Sequence, residues 1–370
     1  MEERLLDAIE EVPAEDWDAL AGPQPFLRHA FLAALEATDC ATPVTGWRPR
    51  HLILEEEGRI LAAMPMYEKS HSFGEFVFDW AWADAYRQHG LNYYPKWTVA
   101  IPFTPVTGPR LLASTDALRQ VLLDTALRLA MKAGVSSFHL LFPTPAEAAV
   151  AWQRELLERR DVQFHWRNPG YRDFADFLSG MAGPKRRKIC QERRRVREAG
   201  IALEVISGLE ATVADWRFFY SCYRNTYRIR GRTPFLTEAF FRSLAECMPA
   251  NLVLFLAHRG ERPVAASLCV RDDDRLYGRY WGSLEEVSCL HFEACFYAPI
   301  EYCIRERLAV FEGGAQGEHK LARGFLPAGT CSAHWLAHPA FADAVGRYLE
   351  RERMVVDGYA EDLRGHSPFR

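Results

Sequence analysis

Apolar positions recur along this chain with two periods, one helical and one of alternating strand type. In the first half, Phe26–Ala37 repeats at helical spacing. His51–Glu55 and Arg59–Tyr67 read as strands around the turn Glu57-Gly58, with a third strand over Glu75–Asp79. Asp116–Ala133 returns to the helical period and stops at Gly134, a favoured helix end. Ser136–Phe142 has the pattern of a buried strand closed by Pro143 and Pro145. Ala146–Arg160 predicts a helix and Val162–Arg167 a strand.

The second half repeats the order. Ile201–Ile206 predicts a strand, and Thr212–Tyr227 and Thr237–Met248 helices. Leu252–His258, Pro263–Arg271 and Arg275–Gly282 form a meander of strands. His291–Arg307 is a long amphipathic helix and Leu308–Phe311 a short strand. Ser332–His338 predicts a last strand and Ala340–Val355 a closing helix. Twice, then, helices are followed by a three-strand meander, a helix and a strand. The expected class is α+β, with mixed, mostly antiparallel sheets flanked by helices, an order similar to the GNAT acyltransferase fold used in tandem. Asn168-Pro169-Gly170 and Gly183-Pro184 break regular structure. They predict domains over residues 1–170 and 171–370, the second entered through a basic helix at 184–199.

Composition narrows the picture. A chain of 370 residues has room for two cores, and a net charge of −4 excludes a surface given over wholly to nucleic acid. A local basic patch stays open. The N-terminus is acidic and broken by Pro13, unlike a secretory leader. No apolar run approaches the ~20 residues that span a bilayer, so no transmembrane segment is expected and the expected location is cytoplasmic. Nine cysteines, with no C-x-x-C, read as reduced thiols.

Five segments are candidates for chemistry. Lys185–Arg197 holds eight cations, including Lys185, Arg186 and Arg187, and one acid. It reads as a grip on phosphate or as a solvated helix face. Leu276–Gly282 is an aromatic strand interrupted by glycines, with Arg279, Tyr280 and Trp281 placed to shape a cleft and backbone amides available to an oxyanion. His291 and Glu293 form an H-x-E pair lacking a P-C-x-x-C partner, so zinc is not expected there; Glu293 fits a helix start, and both are candidate substrate-binding residues. Cys331, His334 and His338 likewise lack a fourth ligand. The segment Gly313–Gly324 is the strongest signal: Gln316, Glu318, His319, Lys320 and Arg323 stand among four glycines with no apolar period. Acylation of an amine needs a proton acceptor, for which Glu318 or His319 is a candidate, and a donor to the oxyanion, for which Lys320 is.

Lys185–Ile189 with the following Glu192-Arg193, the strand Leu276–Gly282, His291–Cys295, Gly314–Pro327 and the later His334-Trp335 resemble the FemAB-like predicted N-acyltransferases of the GNAT superfamily, labelled as peptidoglycan biosynthesis or recognition proteins. The resemblance covers most of the chain. It implies transfer of an aminoacyl group from aminoacyl-tRNA to an amine of a peptidoglycan precursor or other small peptide-like acceptor, with the donor as co-substrate and no tightly bound cofactor. It also implies that Lys320 and Arg323 bind the acceptor or its phosphate, that Tyr280 and Trp281 shape the donor cleft, and that Lys185–Lys188 meet an anionic donor or acceptor. Two other functions stay open: an acyl-CoA-dependent N-acetyltransferase, although residues 282–288 lack the Q/R-x-x-G-x-G/A run of CoA-binding members, and a non-catalytic module recognising a cell-wall precursor.

Overall fold

The computed structural model describes residues 1–314 and 317–369. From the N-terminus the elements are β1 (Glu2–Leu6), α1 (Ala14–Ala21), α2 (His29–Ala37), β2 (Trp47–Pro49), β3 (His51–Glu56), β4 (Arg59–Met64), β5 (Met66–Lys69), α3 (Trp80–Gln88), β6 (Lys96–Val99), β7 (Leu112–Ala113), α4 (Asp116–Ala133), β8 (Ser137–Leu141), α5 (Pro145–Trp152) and β9 (Leu157–Arg167). They continue with α6 (Phe174–Ser179), α7 (Gly183–Glu198), β10 (Ile201–Ser207), α8 (Val213–Arg228), α9 (Glu238–Cys247), β11 (Leu252–Arg259), β12 (Arg262–Arg271), β13 (Arg275–Ser283), α10 (Leu290–Phe292), α11 (Ala298–Arg305), β14 (Val310–Glu312), β15 (Leu326–Leu336) and α12 (Pro339–Gly365).

Two units emerge, Met1–Asp161 with Gly329–Gly358, and Val162–Ala328 with the residues from Tyr359 onward. The boundary expected at 170 falls at Asp161, and Gly329–Gly358, expected in the second domain, belongs to the first. The reason is a strand pairing: Ser332–Leu336 runs antiparallel to Leu141–Ser137 of β8.

In the first unit, β1, β3, β4 and β7 form one antiparallel sheet. β2, β5 and β6 pair antiparallel, and β6 runs parallel to β8. Leu52, Met64, Trp97, Phe138 and Leu140 pack with Leu122 and Leu127 of α4 in one core. Thr115 caps α4 by accepting from Leu118 N–H, and Gly134 ends it in the left-handed region. In the second unit, β10 to β13 form an antiparallel meander, β14 adds in parallel to β13, and Arg167–His165 of β9 pairs antiparallel with β14. Each unit thus has the tandem GNAT-like composition expected.

Three local expectations change. Glu75–Asp79 is not a strand, because the carboxylates of Glu75 and Asp79 turn inward to the Lys96 ammonium. The helix expected to reach Arg160 ends at Trp152, and Glu155 at φ 57° turns the chain into the long strand β9. The helix over 291–307 contains a π turn, Glu293–Tyr297, between α10 and α11. Pro299, with no N–H to donate one turn back, favours such a shift in register. Among the described residues no helix is long and apolar enough to cross a membrane.

Candidate active site

β13 and β14 pair only from Arg275 with Val310 to Tyr277 with Glu312, and beyond Tyr277 they part. Two features of β13 accompany the parting. Leu268 of β12 faces Tyr280 while Cys269 faces Gly278, so Arg279 is the extra residue of a bulge. At Gly282 a Cβ would lie 1.9 Å from the Cys222 carbonyl oxygen, so glycine is what lets α8 approach. From α8, Thr226 Oγ1 donates to Trp281 O at 2.8 Å and Asn225 Nδ2 to Ser283 O at 2.7 Å. These bonds satisfy carbonyls that have lost a strand neighbour.

The opening is a cavity of about 250 Å³. β13 supplies Arg279, Tyr280 and Trp281; the helical segment supplies His291, Cys295 and Phe296; the chain after β14 supplies Gly314, His319 and Lys320. Lys320 is 3% exposed, and its Nζ donates to Gly314 O at 2.7 Å. Gly314 holds φ at 87°, a conformation glycine reaches without strain, and this aims its carbonyl at the ammonium. Among the described residues no Asp or Glu lines the cavity. Burial therefore lowers the Lys320 pKa to about 8, opposed only by the Cys295 thiol. Burial lowers His291 to about 4, helped by His319, Arg323 and Lys320. His319 is also lowered, by burial and then by Arg323 and Lys320. Both imidazoles are thus neutral near pH 7, and His319 is the more exposed of the two.

The structure therefore brings together Arg279, Tyr280, Trp281, His291, His319 and Lys320. It places the other expected residues elsewhere. Glu318, expected as a proton acceptor, lies outside the cavity, exposed, and accepts from Tyr359 OH at 2.7 Å. Arg323, expected on an anionic ligand, is buried, bound to Glu192 at 2.8 and 2.9 Å, and its guanidinium lies 3.5 Å over the Phe292 ring. Glu293 is no free ligand either: it is buried against Arg193, 2.9 Å away. Arg186 and Arg187 line an open groove of about 940 Å³ along α7 with Lys188, Arg194 and Arg197; Lys185 occupies the same first turns but does not line it. Gln316 lies outside the described residues.

Four residues at or beside the site stand outside the set of predicted site residues. Phe296 and Cys295 form cavity wall from the π turn, which no periodicity marks. Glu312, ending β14, has its pKa raised to about 7 by burial against the pull of Arg275, 3.1 Å away. Glu192 carried a signal, being the single acid among eight cations.

A family model described as FemAB-like, peptidoglycan biosynthesis/recognition, matches residues 8–370. Among solved structures, FemX aligns with a TM-score of 0.55 at 11% identity over 94% of this chain and 100% of its own. The C-terminal domain of a putative lysylphosphatidylglycerol synthetase from Agrobacterium fabrum aligns with a TM-score of 0.55 at 9% identity, covering 91% and 95%. L-PGS from Bacillus licheniformis gives 0.51 at 10% identity, covering 89% and 97%. At these identities the likeness is one of fold. No curated protein matches the chain in sequence.

Proposed function

We propose that this chain, an acyltransferase belonging to the FemAB-like family, moves an aminoacyl group from the 3′ end of tRNA to the amine of a peptidoglycan precursor or other small peptide-like acceptor. The observation that carries the reading is Lys320: a buried cation with no carboxylate partner among the described residues, on the wall of a cavity at a strand opening. In the reaction the acceptor nitrogen attacks the ester carbonyl, a C–N bond forms and the C–O bond to the ribose breaks. The Lys320 ammonium donates to the oxyanion of the tetrahedral intermediate. The neutral His319 accepts the proton leaving the nitrogen and returns it to the departing ribose oxygen. The name of one aligned protein, a putative lysylphosphatidylglycerol synthetase, supports an aminoacyl group as the cargo, and the basic groove along α7 supports tRNA as its carrier.

The test supplies a tRNA pool charged with labelled amino acids, together with amine acceptors. Label passing to an acceptor in a ribonuclease-sensitive reaction supports the reading. Absence of transfer from every charged pool, or transfer from acetyl-CoA in its place, overturns the donor.

A further inference from the structure

Glu192 is the one acid in Lys185–Arg197, and its carboxylate is buried rather than facing the groove that its neighbours line. It receives Arg323 Nη2 on both oxygens, at 2.8 and 2.9 Å, and the Tyr297 hydroxyl on one. Arg323 in turn donates from Nη1 to the His319 carbonyl at 2.7 Å. Its guanidinium thus spans from α7 to the short turn Glu318–Arg323 that carries His319 and Lys320. The next residue of α7, Arg193, binds Glu293 and Glu301, on either side of the wall residues Cys295 and Phe296. Two consecutive side chains of the basic helix therefore hold two walls of the cavity.

We infer that Glu192 is a positioning residue for acyl transfer: through Arg323 it holds the turn that sets Lys320 and His319 on the cavity wall. The inference rests on the acyl-transfer reading. A planar guanidinium that is bonded at both ends and stacked on Phe292 fixes direction as well as distance. A neutral residue at 192 leaves that cation buried without a counter-charge, so the turn is driven out of place. Lys320, held to Gly314 O by a single bond, then moves toward water.

The test measures the Lys320 pKa by competitive labelling with acetic anhydride and peptide mass spectrometry, beside transfer kinetics with charged tRNA. In the wild type Lys320 is expected to titrate at about 8, lowered by burial. Glu192→Gln raises this toward the ordinary lysine value of ~10.4. It lowers kcat about a hundredfold, the scale of a displaced group, with KM for charged tRNA held within about twofold. Glu192→Asp, keeping the charge, recovers part of both. Lys320 titrating as in the wild type, even with a lower unfolding temperature, overturns the inference and leaves a fold-stabilising ion pair. Should Glu192→Gln not fold, Arg323→Lys takes its place: one ammonium cannot span Glu192 and the His319 carbonyl, so the same rise is expected and an unchanged pKa refutes. Wild-type protein inactive with every charged tRNA defeats the acyl-transfer reading, while the Lys320 titration still decides the role of Glu192.

Discussion

Lys96 in the first unit and Lys320 in the second are both buried near a parallel strand pair, and their surroundings treat them in opposite ways. In the first unit Lys96 opens β6 and donates to Ser72, Glu75 and Asp79. Burial alone would lower its pKa, but Asp79 and Glu75 outweigh that and raise it. In the second unit Lys320 follows β14 and has one backbone carbonyl, and burial lowers its pKa to about 8. A buried cation with its counter-charges in place has no interaction left to offer a reactant. One held only by a carbonyl has its field still to give, and it faces a cavity. Lys96 and Lys320 thus differ in where the carboxylates stand, and Lys69 of β5, beside Lys96, is a third buried cation, its pKa lowered to about 6 by burial, which rests on the Trp47 ring and donates to Phe73 O.

The largest effect expected is on stability. Lys96→Met leaves Glu75 and Asp79 buried without their cation and costs about 3–5 kcal/mol. Urea unfolding measures it, and turnover per folded molecule stays at the wild-type value. A loss within about 0.5 kcal/mol, as at a surface site, breaks the comparison. The matching change in the second unit acts on rate. Lys320→Met lowers kcat by about 10²–10³-fold, the scale of losing one oxyanion donor. Its urea midpoint is equal to or above the wild type's, since an uncompensated buried cation has gone. Equal turnover in the variant removes Lys320 from the chemistry.

The pH dependence sharpens the same contrast. If the ammonium is the working form, transfer falls on the alkaline side with a midpoint near 8, and Lys320→Arg abolishes that limb. Stability carries the linked sign. The folded pKa is depressed below the unfolded ~10.4, so this residue's contribution is present above that value and lost as pH falls through 8. A rate that instead climbs through 8, with the climb lost in Lys320→Arg, assigns the free amine as base.

The elements with strong periodicity were legible in the sequence, and those that end for tertiary reasons were not. Asp116–Ala133 and the meander β11 to β13 stand where the pattern puts them, because one buried face dictates both period and cap. Glu75–Asp79 misled because its carboxylates serve Lys96, a partner in a strand further along the chain. Of the site, the segment after β14 and the strand Leu276–Gly282 were visible as glycines among polar or aromatic residues. What sequence could not give was pairing. Arg323 and Glu293 look like free ligands until Glu192 and Arg193, a hundred or more residues away along the chain, are seen beside them.

The smallest effect expected concerns the outer face of α7. Arg186 and Arg187 line its groove, whereas Glu192 on the same helix is turned inward. If the groove holds tRNA phosphates, Arg186→Ala and Arg187→Ala each weaken binding of uncharged tRNA by several-fold. Each also flattens the slope of log affinity against log salt by roughly one, the share of a single phosphate contact. Fluorescence anisotropy between about 50 and 200 mM salt reads both quantities. Arg128, an exposed cation of the first unit paired with Glu3, is the control, and Arg128→Ala leaves slope and affinity unchanged. Equal losses from all three positions would show tRNA responding to general charge, and the groove would no longer distinguish the second unit from the first. Loss confined to Arg186 and Arg187 makes α7 a helix with a binding face outside and a holding face inside.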